Sequence, residues 1–297
     1  MAINTRFTGT GVAIITPFIN GEIDFRSLDK MIDHVIDGGV EYIVSLGSTG
    51  ESVTLNNDER RKILDRTIGH VNARVPIVAG NFGDNNTRDL CRYAEKFDFA
   101  GIDAILSSSP AYNKPTQDGI YQHYKALSEA CAVPVILYNV PGRTASNVAA
   151  ETTLRLAHDC PAIIAIKEAS TDMVQASMIL RDRPEGFLVL SGDDPTALSL
   201  IGLGGEGVIS VIANAYPAIF SSMVRAVLQG DLPEARRLHE SLLDIHPVLY
   251  VEGNPAGIKA ATSLLGLSTP EVRLPLTPLS KERTTQLRAL MDALKEG

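Results

Sequence analysis

The sequence around Lys167 is typical of a lysine that acts as an amine nucleophile. Lys167 ends the apolar run Ile163–Ile166, so its stem would be buried and its amine would lie at the end of a strand. Desolvation disfavours the ammonium form, and a neutral amine attacks a ketone to form a Schiff base that withdraws electrons. The ordinary alternatives are an ion pair with Glu168 or an amine that reaches the solvent. Strand alternation would point Glu168 away from Lys167.

Two more reactive side chains lie in the segment Tyr138–Thr144 (YNVPGRT), at the end of the preceding apolar run. The phenol of Tyr138 can carry protons to and from an iminium on Lys167. Arg143 follows a Pro-Gly turn and can hold a carboxylate through two parallel N–H bonds. Taken alone, Tyr138 also fits an ordinary tyrosine at a strand end, and Arg143 also fits a solvated loop arginine.

A third candidate is the loop Gly47–Glu51 (GSTGE), in which two glycines flank two hydroxyl residues. Its backbone N–H groups can bind a small anion such as a carboxylate. Ser48 and Thr49 add hydroxyls that can relay protons. The loop is a weak indication by itself, because glycine and serine are common in all turns.

The elements that position these residues follow one rhythm. Eight short apolar runs, typical of strands buried on both faces, alternate with segments of helical period. Leu28, Met31, Ile32 and Val35, for example, form one helical stripe. The pattern predicts an α/β fold of the (β/α)₈ TIM-barrel type, in which reacting groups lie at the carboxyl ends of the strands. The predicted strands are 11–16, 41–46, 76–80, 102–107, 134–138, 162–167, 187–191 and 207–211.

A doubly wound open sheet is the competing fold, but it usually has a glycine fingerprint after its first strand. Thr16-Pro17-Phe18 stands there instead. Asp194 and Asn147 are predicted to cap helices. No strand pattern follows residue 230, which predicts a catalytic barrel over residues 1–230 and a small helical domain over residues 231–297.

Composition narrows the function further. The 297 residues carry a net charge of −8, which argues against a nucleic-acid partner. No apolar run approaches the about 18 residues of a membrane helix, and the first residues lack the apolar stretch of a secretory signal. The three cysteines are far apart, which predicts the reducing cytoplasm. The six histidines show no metal-ligand spacing, so no metal and no other cofactor is expected.

Five motifs in this order resemble the dihydrodipicolinate synthase family, within the superfamily of N-acetylneuraminate lyase-like class I aldolases. They are GSTGE at 47–51, YNKPTQDG at 112–119, YNVPGRT at 138–144, IKEAS at 166–170 and SGDD at 191–194. The likeness extends to NPAGIKAA and RLPLTPLS near the C-terminus. It implies a lyase of lysine and diaminopimelate biosynthesis that joins pyruvate to L-aspartate-4-semialdehyde through a Schiff base on Lys167.

The resemblance also implies further residue roles. A proton relay would consist of Ser48, Tyr138 and Tyr112, with the last reaching the site from a neighbouring subunit of a homodimer or homotetramer. Arg143 would bind the carboxylate of the semialdehyde. The pyruvate carboxylate and the product would be bound with help from Thr49 and the backbone at Gly192 and Ile209.

Two departures from the family pattern bear on function. Ser48 replaces the usual threonine, and serine there is also common in N-acetylneuraminate lyases. A lyase of sialic acid or of 2-keto-3-deoxy sugar acids is therefore the nearest alternative, and a catalytically dead ligand sensor is an alternative of another class. Arg143 and the intact reactive set favour the synthase.

The second departure lies in the cleft that binds inhibitory lysine in some members of the family. Asn57 replaces a histidine, Asp89 a glutamate and Ala111 an aromatic residue, so we expect weak or absent inhibition by lysine. The corresponding residues here are Ser52, Val53, Asn57, Arg60, Asn85, Asp89 and Ala111.

Overall fold

The structure is a computed structural model that describes residues 5–296. Eight strands form a barrel. The strands are β1 (Gly9–Ala13), β2 (Tyr42–Ser45), β3 (Ile77–Ala79), β4 (Ala104–Ser108), β5 (Val135–Asn139), β6 (Ile163–Glu168), β7 (Leu188–Ser191) and β8 (Gly207–Ser210). They are parallel, and β8 pairs with β1 to close the barrel. The predicted TIM barrel is confirmed. Residues 1–4, which include most of the N-terminal stretch considered for a signal, and residue 297 lie outside the described part.

Helices cover the outside of the barrel between the strands. They are α1 (Phe25–Asp37), α2 (Asn57–Val71), α3 (Thr87–Lys96), α4 (Gln117–Ala130), α5 (Ala150–Asp159), α6 (Met173–Asp182), α7 (Ala197–Gly202) and α8 (Pro217–Leu228). A two-stranded hairpin (Phe18–Ile19 with Glu22–Ile23) precedes α1, and a short helix (Pro141–Thr144) precedes α5. No helix within residues 5–296 is both long and apolar enough to cross a membrane.

Side chains of one strand alternate between two cores. On β6, Ala165 belongs to the core inside the barrel, whereas Ile166 packs in the core between strands and helices. Lys167 comes two residues after Ala165 and so points into the barrel, and Glu168 points outward. The sequence prediction about these two directions is confirmed. Within α1, the predicted stripe of four apolar residues is fully buried against the barrel.

Both predicted helix caps are wrong. The residue that caps α7 is Thr196, and the carboxylate of Asp194 instead accepts hydrogen bonds from the backbone N–H groups of Val211 and Ile212 at 3.0 and 2.8 Å. The residue that caps α5 is Ala149, whereas Asn147 bonds to other side chains. Long-range partners competed successfully for both side chains, which local patterns cannot reveal.

Four helices follow the barrel. They are α9 (Leu232–Leu242), α10 (Ile245–Tyr250), α11 (Ala256–Leu264) and α12 (Lys281–Glu296). The apolar spacing of Leu238, Leu242, Ile245 and Leu249 predicts one helix, but the structure divides these residues between α9 and α10. Leu242, Leu249 and Leu287 belong to the same hydrophobic core as the barrel helices. The boundary at residue 230 therefore remains a prediction, since the core continues across it.

Candidate active site

Lys167 lies inside the mouth of the barrel. It is 4% exposed, and no ion pair within residues 5–296 includes its amine. Gly192, at the end of the adjacent β7, makes room for it, because a Cβ there would lie 3.1 Å from both Cγ and Cε of the lysine. The stem is thus tightly held while the amine faces the cavity.

Tyr138 is the immediate neighbour of Lys167. The two residues are direct partners in the pairing of β5 with β6. The lysine Nζ lies 4.4 Å from the centroid of the tyrosine ring, a cation–π distance. Both side chains therefore point into one cavity, as the sequence predicts, and the phenol ring covers one side of the amine.

Two adjoining cavities open at the carboxyl ends of the strands. The one that reaches Lys167 has a volume of about 450 Å³, and its neighbour about 380 Å³. Ser48, Tyr138 and Arg143 line both of them. A space of this size, with a lysine, a phenol, a hydroxyl and a guanidinium, suits a small anionic substrate.

Contacts with distant residues fix the loop Gly47–Glu51 on the C-terminal side of Ser48. Ser48 is exposed to the cavity. Thr49 is 2% exposed, and its Oγ1 accepts a 3.0 Å hydrogen bond from the side-chain amide of Asn254. Glu51 has a left-handed backbone (φ 53°), which costs energy for a residue with a side chain. Tertiary contacts must therefore maintain this shape of the loop.

A buried ion pair supplies the strongest of those contacts. Glu51 Oε1 lies 2.5 Å from Nζ of Lys259, and both side chains are fully buried. Glu51 Oε2 accepts a 3.0 Å hydrogen bond from the backbone N–H of Arg273. Burial lowers the pKa of Lys259 to about 8, although the charge of Glu51 acts in the opposite direction. The C-terminal segment thus fixes the end of the hydroxyl loop.

The predicted carboxylate-binding residues are only partly brought together. Arg143 is exposed and lines the cavity with Gly192. The N–H of Gly192 already donates to the carbonyl of Glu168 at 2.7 Å, so its carbonyl is the backbone group left for a ligand. Ile209 is fully buried in the barrel interior and is absent from the cavity lining within the described residues.

Tyr112 is separated from the other predicted relay residues. Its side chain is 90% exposed, and its backbone has a φ of 68°. The N–H of Tyr112 donates to the carbonyl of Thr144 at 3.0 Å, which attaches its loop beside Arg143. One chain alone therefore holds Lys167 and Tyr138 together with Ser48 nearby, but leaves Tyr112 pointing away from this chain.

Residues of the predicted lysine cleft lie around the second cavity. Ser52, Val53, Arg60 and Ala111 line it, whereas Asn57 lines a separate depression. The guanidinium of Arg60 donates to the carbonyl of Ser52 at 2.9 Å.

Two further cleft residues have partners within the chain. The amide of Asn85 accepts from the N–H of Ala111 at 2.8 Å and donates to its carbonyl at 2.7 Å. The carboxylate of Asp89 accepts from Asn86 at 2.5 Å and contacts Arg92 at 3.5 Å. Both side chains therefore already have polar partners within this chain.

The sequence does not reveal that the helical segment after the barrel (residues 231–296, the appendage) contributes to the site. Tyr250, Asn254 and Leu276 line the cavity around Lys167. The hydroxyl of Tyr250 donates to the buried Asp194 at 3.0 Å, and burial raises the pKa of this phenol. Asn254 and Leu276 belong to the C-terminal motifs NPAGIKAA and RLPLTPLS, which resemble the family, whereas Tyr250 lies outside both motifs.

Metal ligation finds no support in the part of the chain that the structure describes. Residues 5–296 contain no group of three or more histidine, cysteine, aspartate or glutamate side chains placed to hold a metal ion. Within the same residues, all three cysteines are free thiols.

Comparisons with known proteins concern the family of the chain as a whole. The model of the dihydrodipicolinate synthetase family matches residues 6–294. A 4-hydroxy-tetrahydrodipicolinate synthase of Flavobacterium psychrophilum is 48% identical over 95% of this chain and 96% of its own length.

Solved structures show the same likeness. Dihydrodipicolinate synthase of Thermotoga maritima has a TM-score of 0.95 at 38% identity, covering 98% of this chain and 99% of that one. The chloride-inhibited dihydrodipicolinate synthase of Acinetobacter baumannii, complexed with pyruvate, has a TM-score of 0.93 at 39% identity and covers 97% of this chain and 99% of its own. The sequence motifs, the fold and these matches agree, and the chain belongs to the dihydrodipicolinate synthetase family.

Proposed function

We propose that this enzyme condenses pyruvate with L-aspartate-4-semialdehyde through a Schiff base on Lys167. The observation that carries the proposal is the buried amine of Lys167 beside the Tyr138 ring, in a cavity that also holds Arg143. The activity predicted from the motifs, that of a 4-hydroxy-tetrahydrodipicolinate synthase, is confirmed by curated relatives of that name at 42–48% identity.

The chemistry begins with attack of the neutral Lys167 amine on the ketone carbon of pyruvate. Loss of water gives an iminium, and removal of a methyl proton gives an enamine. The enamine carbon bonds to the aldehyde carbon of the semialdehyde, and the aldehyde oxygen takes up a proton. The amino group of that substrate then attacks the former ketone carbon, which closes the ring and releases Lys167.

The other side chains bind and move protons. Tyr138 is placed to give and take protons at the iminium, and Ser48 adds a hydroxyl at the edge of the same cavity. The guanidinium of Arg143 binds the semialdehyde carboxylate, and Thr49 helps to bind pyruvate. Because pyruvate is an anion, the semialdehyde also carries a carboxylate, and the chain has a net charge of −8, the attraction of both carboxylates must come from such local groups.

A direct assay distinguishes the synthase from the nearest alternative. Pyruvate is incubated with L-aspartate-4-semialdehyde in one reaction and with N-acetylmannosamine in another, and the consumption of pyruvate is followed. The proposal expects turnover in the first reaction only. Turnover restricted to the second would identify a sialic acid lyase, and that result would refute the proposal.

Tyr112 is proposed to act in the active site of a neighbouring subunit, in a homodimer or homotetramer. Its 90% exposure in the single chain supports this arrangement. Tyr112→Phe should slow condensation about 10²-fold, since a proton-transfer group is lost, while the Schiff base still forms. Steady-state rates and borohydride trapping check the two parts.

Mixed oligomers test whether the tyrosine acts across the interface. After joint refolding, Tyr112→Phe and Lys167→Ala chains should show more activity than the sum of both alone. Each mixed pair then holds one site with an intact lysine and an intact partner tyrosine. The matched control is Tyr121→Phe, which removes a hydroxyl that donates to Asp159 outside the two cavities. Absence of any gain on mixing would contradict the shared site.

Weak inhibition by lysine remains a prediction that the cleft supports. Asn85 and Asp89 are bound within the chain, and Arg60 places a guanidinium where a lysine ammonium would have to approach. We expect condensation to continue at nearly full rate in millimolar lysine. Half-inhibition at micromolar lysine would contradict this, and Ala111→Tyr should increase the sensitivity by restoring an aromatic surface.

The predicted cytoplasmic location is likewise retained as a proposal. Its support is the sparse set of three cysteines, which fits a reducing compartment.

A further inference from the structure

A second polar cluster lies on the outward face of the ends of β5 and β6, on the opposite side of the strands from Lys167 and Tyr138. Glu168 is 2% exposed and Asn139 is fully buried. They are partners in the pairing of β5 with β6, one residue after Tyr138 and Lys167. The proposed mechanism gives neither of them a role.

The carboxylate of Glu168 is surrounded by N–H donors. Asn139 Nδ2 lies 3.1 and 3.0 Å from its two oxygens. Gln175 Nε2 donates at 2.9 Å and the backbone N–H of Ser170 at 2.7 Å. Because every partner is a donor, the arrangement matches an ionised carboxylate, which only accepts hydrogen bonds.

Glu168 takes part in no ion pair within residues 5–296. Burying a carboxylate without a cation is unfavourable unless its hydrogen bonds are well formed. Apolar side chains would fill the same space at less cost, so the cluster must contribute something other than packing.

The pairing of the two strands shows what the cluster can contribute. Val135 pairs with Ile163, but Ile136 pairs with Ala165, so the register shifts by one residue at the start of the strands. A shift of one residue exchanges inward and outward side chains. The later part of the strands therefore needs its own contact to keep Lys167 opposite Tyr138.

The same cluster extends to the next helices. Asn139 Nδ2 also donates to Asn147 at 2.8 Å, and Asn139 Oδ1 accepts from the N–H of Val148 at 2.9 Å. Asn147 in turn donates to Gln175 at 2.8 Å. Both strand ends are thus tied to the starts of α5 and α6, which restricts their movement.

We propose that Glu168 is a positioning residue whose buried carboxylate, bonded to Asn139, holds Tyr138 against Lys167. This inference rests on the proposed Schiff-base function of Lys167. Within the described residues, Glu168 is not among those that line the two cavities. It acts by fixing the register of β5 and β6 where the two reactive side chains meet.

Glu168→Gln tests the proposal, because it replaces one acceptor oxygen with an N–H₂ group that faces other donors. We expect the rate of borohydride-trapped Schiff base formation and kcat to fall about 10- to 100-fold, as for a misplaced reactive group. The KM for the semialdehyde should change by less than about twofold, since Arg143 is untouched. The exposed Glu185→Gln is the matched control and should behave as wild type.

A double variant separates positioning from general damage. Asn139→Asp with Glu168→Gln moves the carboxylate to the opposite strand and keeps a donor–acceptor pair between the two side chains. Asn147 can rotate its amide to donate to the new carboxylate. We expect trapping to recover at least about threefold over Glu168→Gln, in line with the worth of a restored hydrogen bond.

Gln175→Met removes one donor to Glu168, together with the contacts of Gln175 to Asn147, and it is the variant to use if Glu168→Gln does not fold. It should lower trapping in the same direction by a smaller factor. Wild-type trapping in the folded single variants, or a double variant slower than Glu168→Gln, would overturn the proposal. Failure of the wild-type protein to trap pyruvate would instead refute the Schiff-base function, so the two failures are distinguishable.

Discussion

Replacing Lys259 with methionine is expected to lower the free energy of unfolding by about 3–5 kcal/mol, because it leaves the Glu51 carboxylate buried without its cation. The lysine is also lost as a donor to the carbonyl of Glu271, at 2.8 Å, and as a cation 4.1 Å from the ring of Phe18. Methionine has a similar length, so the effect reports the charge rather than a cavity. Urea unfolding at neutral pH measures it.

Two variants control for this result. Lys281→Met changes an exposed lysine and should alter stability by less than about 0.5 kcal/mol. Lys259→Met combined with Glu51→Gln removes both charges and should recover part of the loss. The new amide can still accept from the N–H of Arg273. A loss below about 1 kcal/mol in Lys259→Met alone would contradict the role of the pair.

Lys167→Ala is expected to lower kcat for condensation by a factor on the order of 10⁶, the scale seen when a covalent nucleophile is removed. No other lysine lines the cavity within residues 5–296, so none can take its place. Initial rates with saturating pyruvate and semialdehyde measure the effect. Lys125→Ala, on the exposed face of α4, is the matched control and should keep the wild-type rate. Loss of less than about tenfold in Lys167→Ala would show that the amine is not the nucleophile.

The reactive pair could be predicted from the sequence because it depends on local pattern. Lys167 and Tyr138 both end apolar runs, and parallel strands bring such ends to one rim. The alternation rule then assigned Lys167 to the inside and Glu168 to the outside, which the two cores confirm. Information within one strand was sufficient in each case.

Residues that depend on distant contacts could not be predicted in the same way. The local pattern predicts that Asp194 caps a helix, but its partners in the structure include Tyr250 of the appendage. The pairing of Glu51 with Lys259 joins residues more than two hundred positions apart. Polar side chains choose among many partners in the fold, and a single sequence does not reveal which contact is the most favourable.

The appendage is a related case. The sequence predicts that the segment after residue 230 is helical, but it does not predict that this segment contacts the mouth of the barrel. Asn254 and Leu276 form part of the cavity wall, so the segment after residue 250 is as much a part of the site as the strand ends. Only the packing of helices on the barrel, which depends on the whole core, decides this arrangement.

Borohydride reduction in the presence of pyruvate tests the central claim most directly. The protein is reduced with and without pyruvate, digested, and its lysine-containing peptides are identified by mass spectrometry. The account predicts a pyruvate-dependent adduct on Lys167. Lys259, whose pKa burial lowers to about 8, should remain unmodified because it is fully buried and paired with Glu51. Absence of an adduct, or an adduct on Lys259 in place of Lys167, would contradict the account.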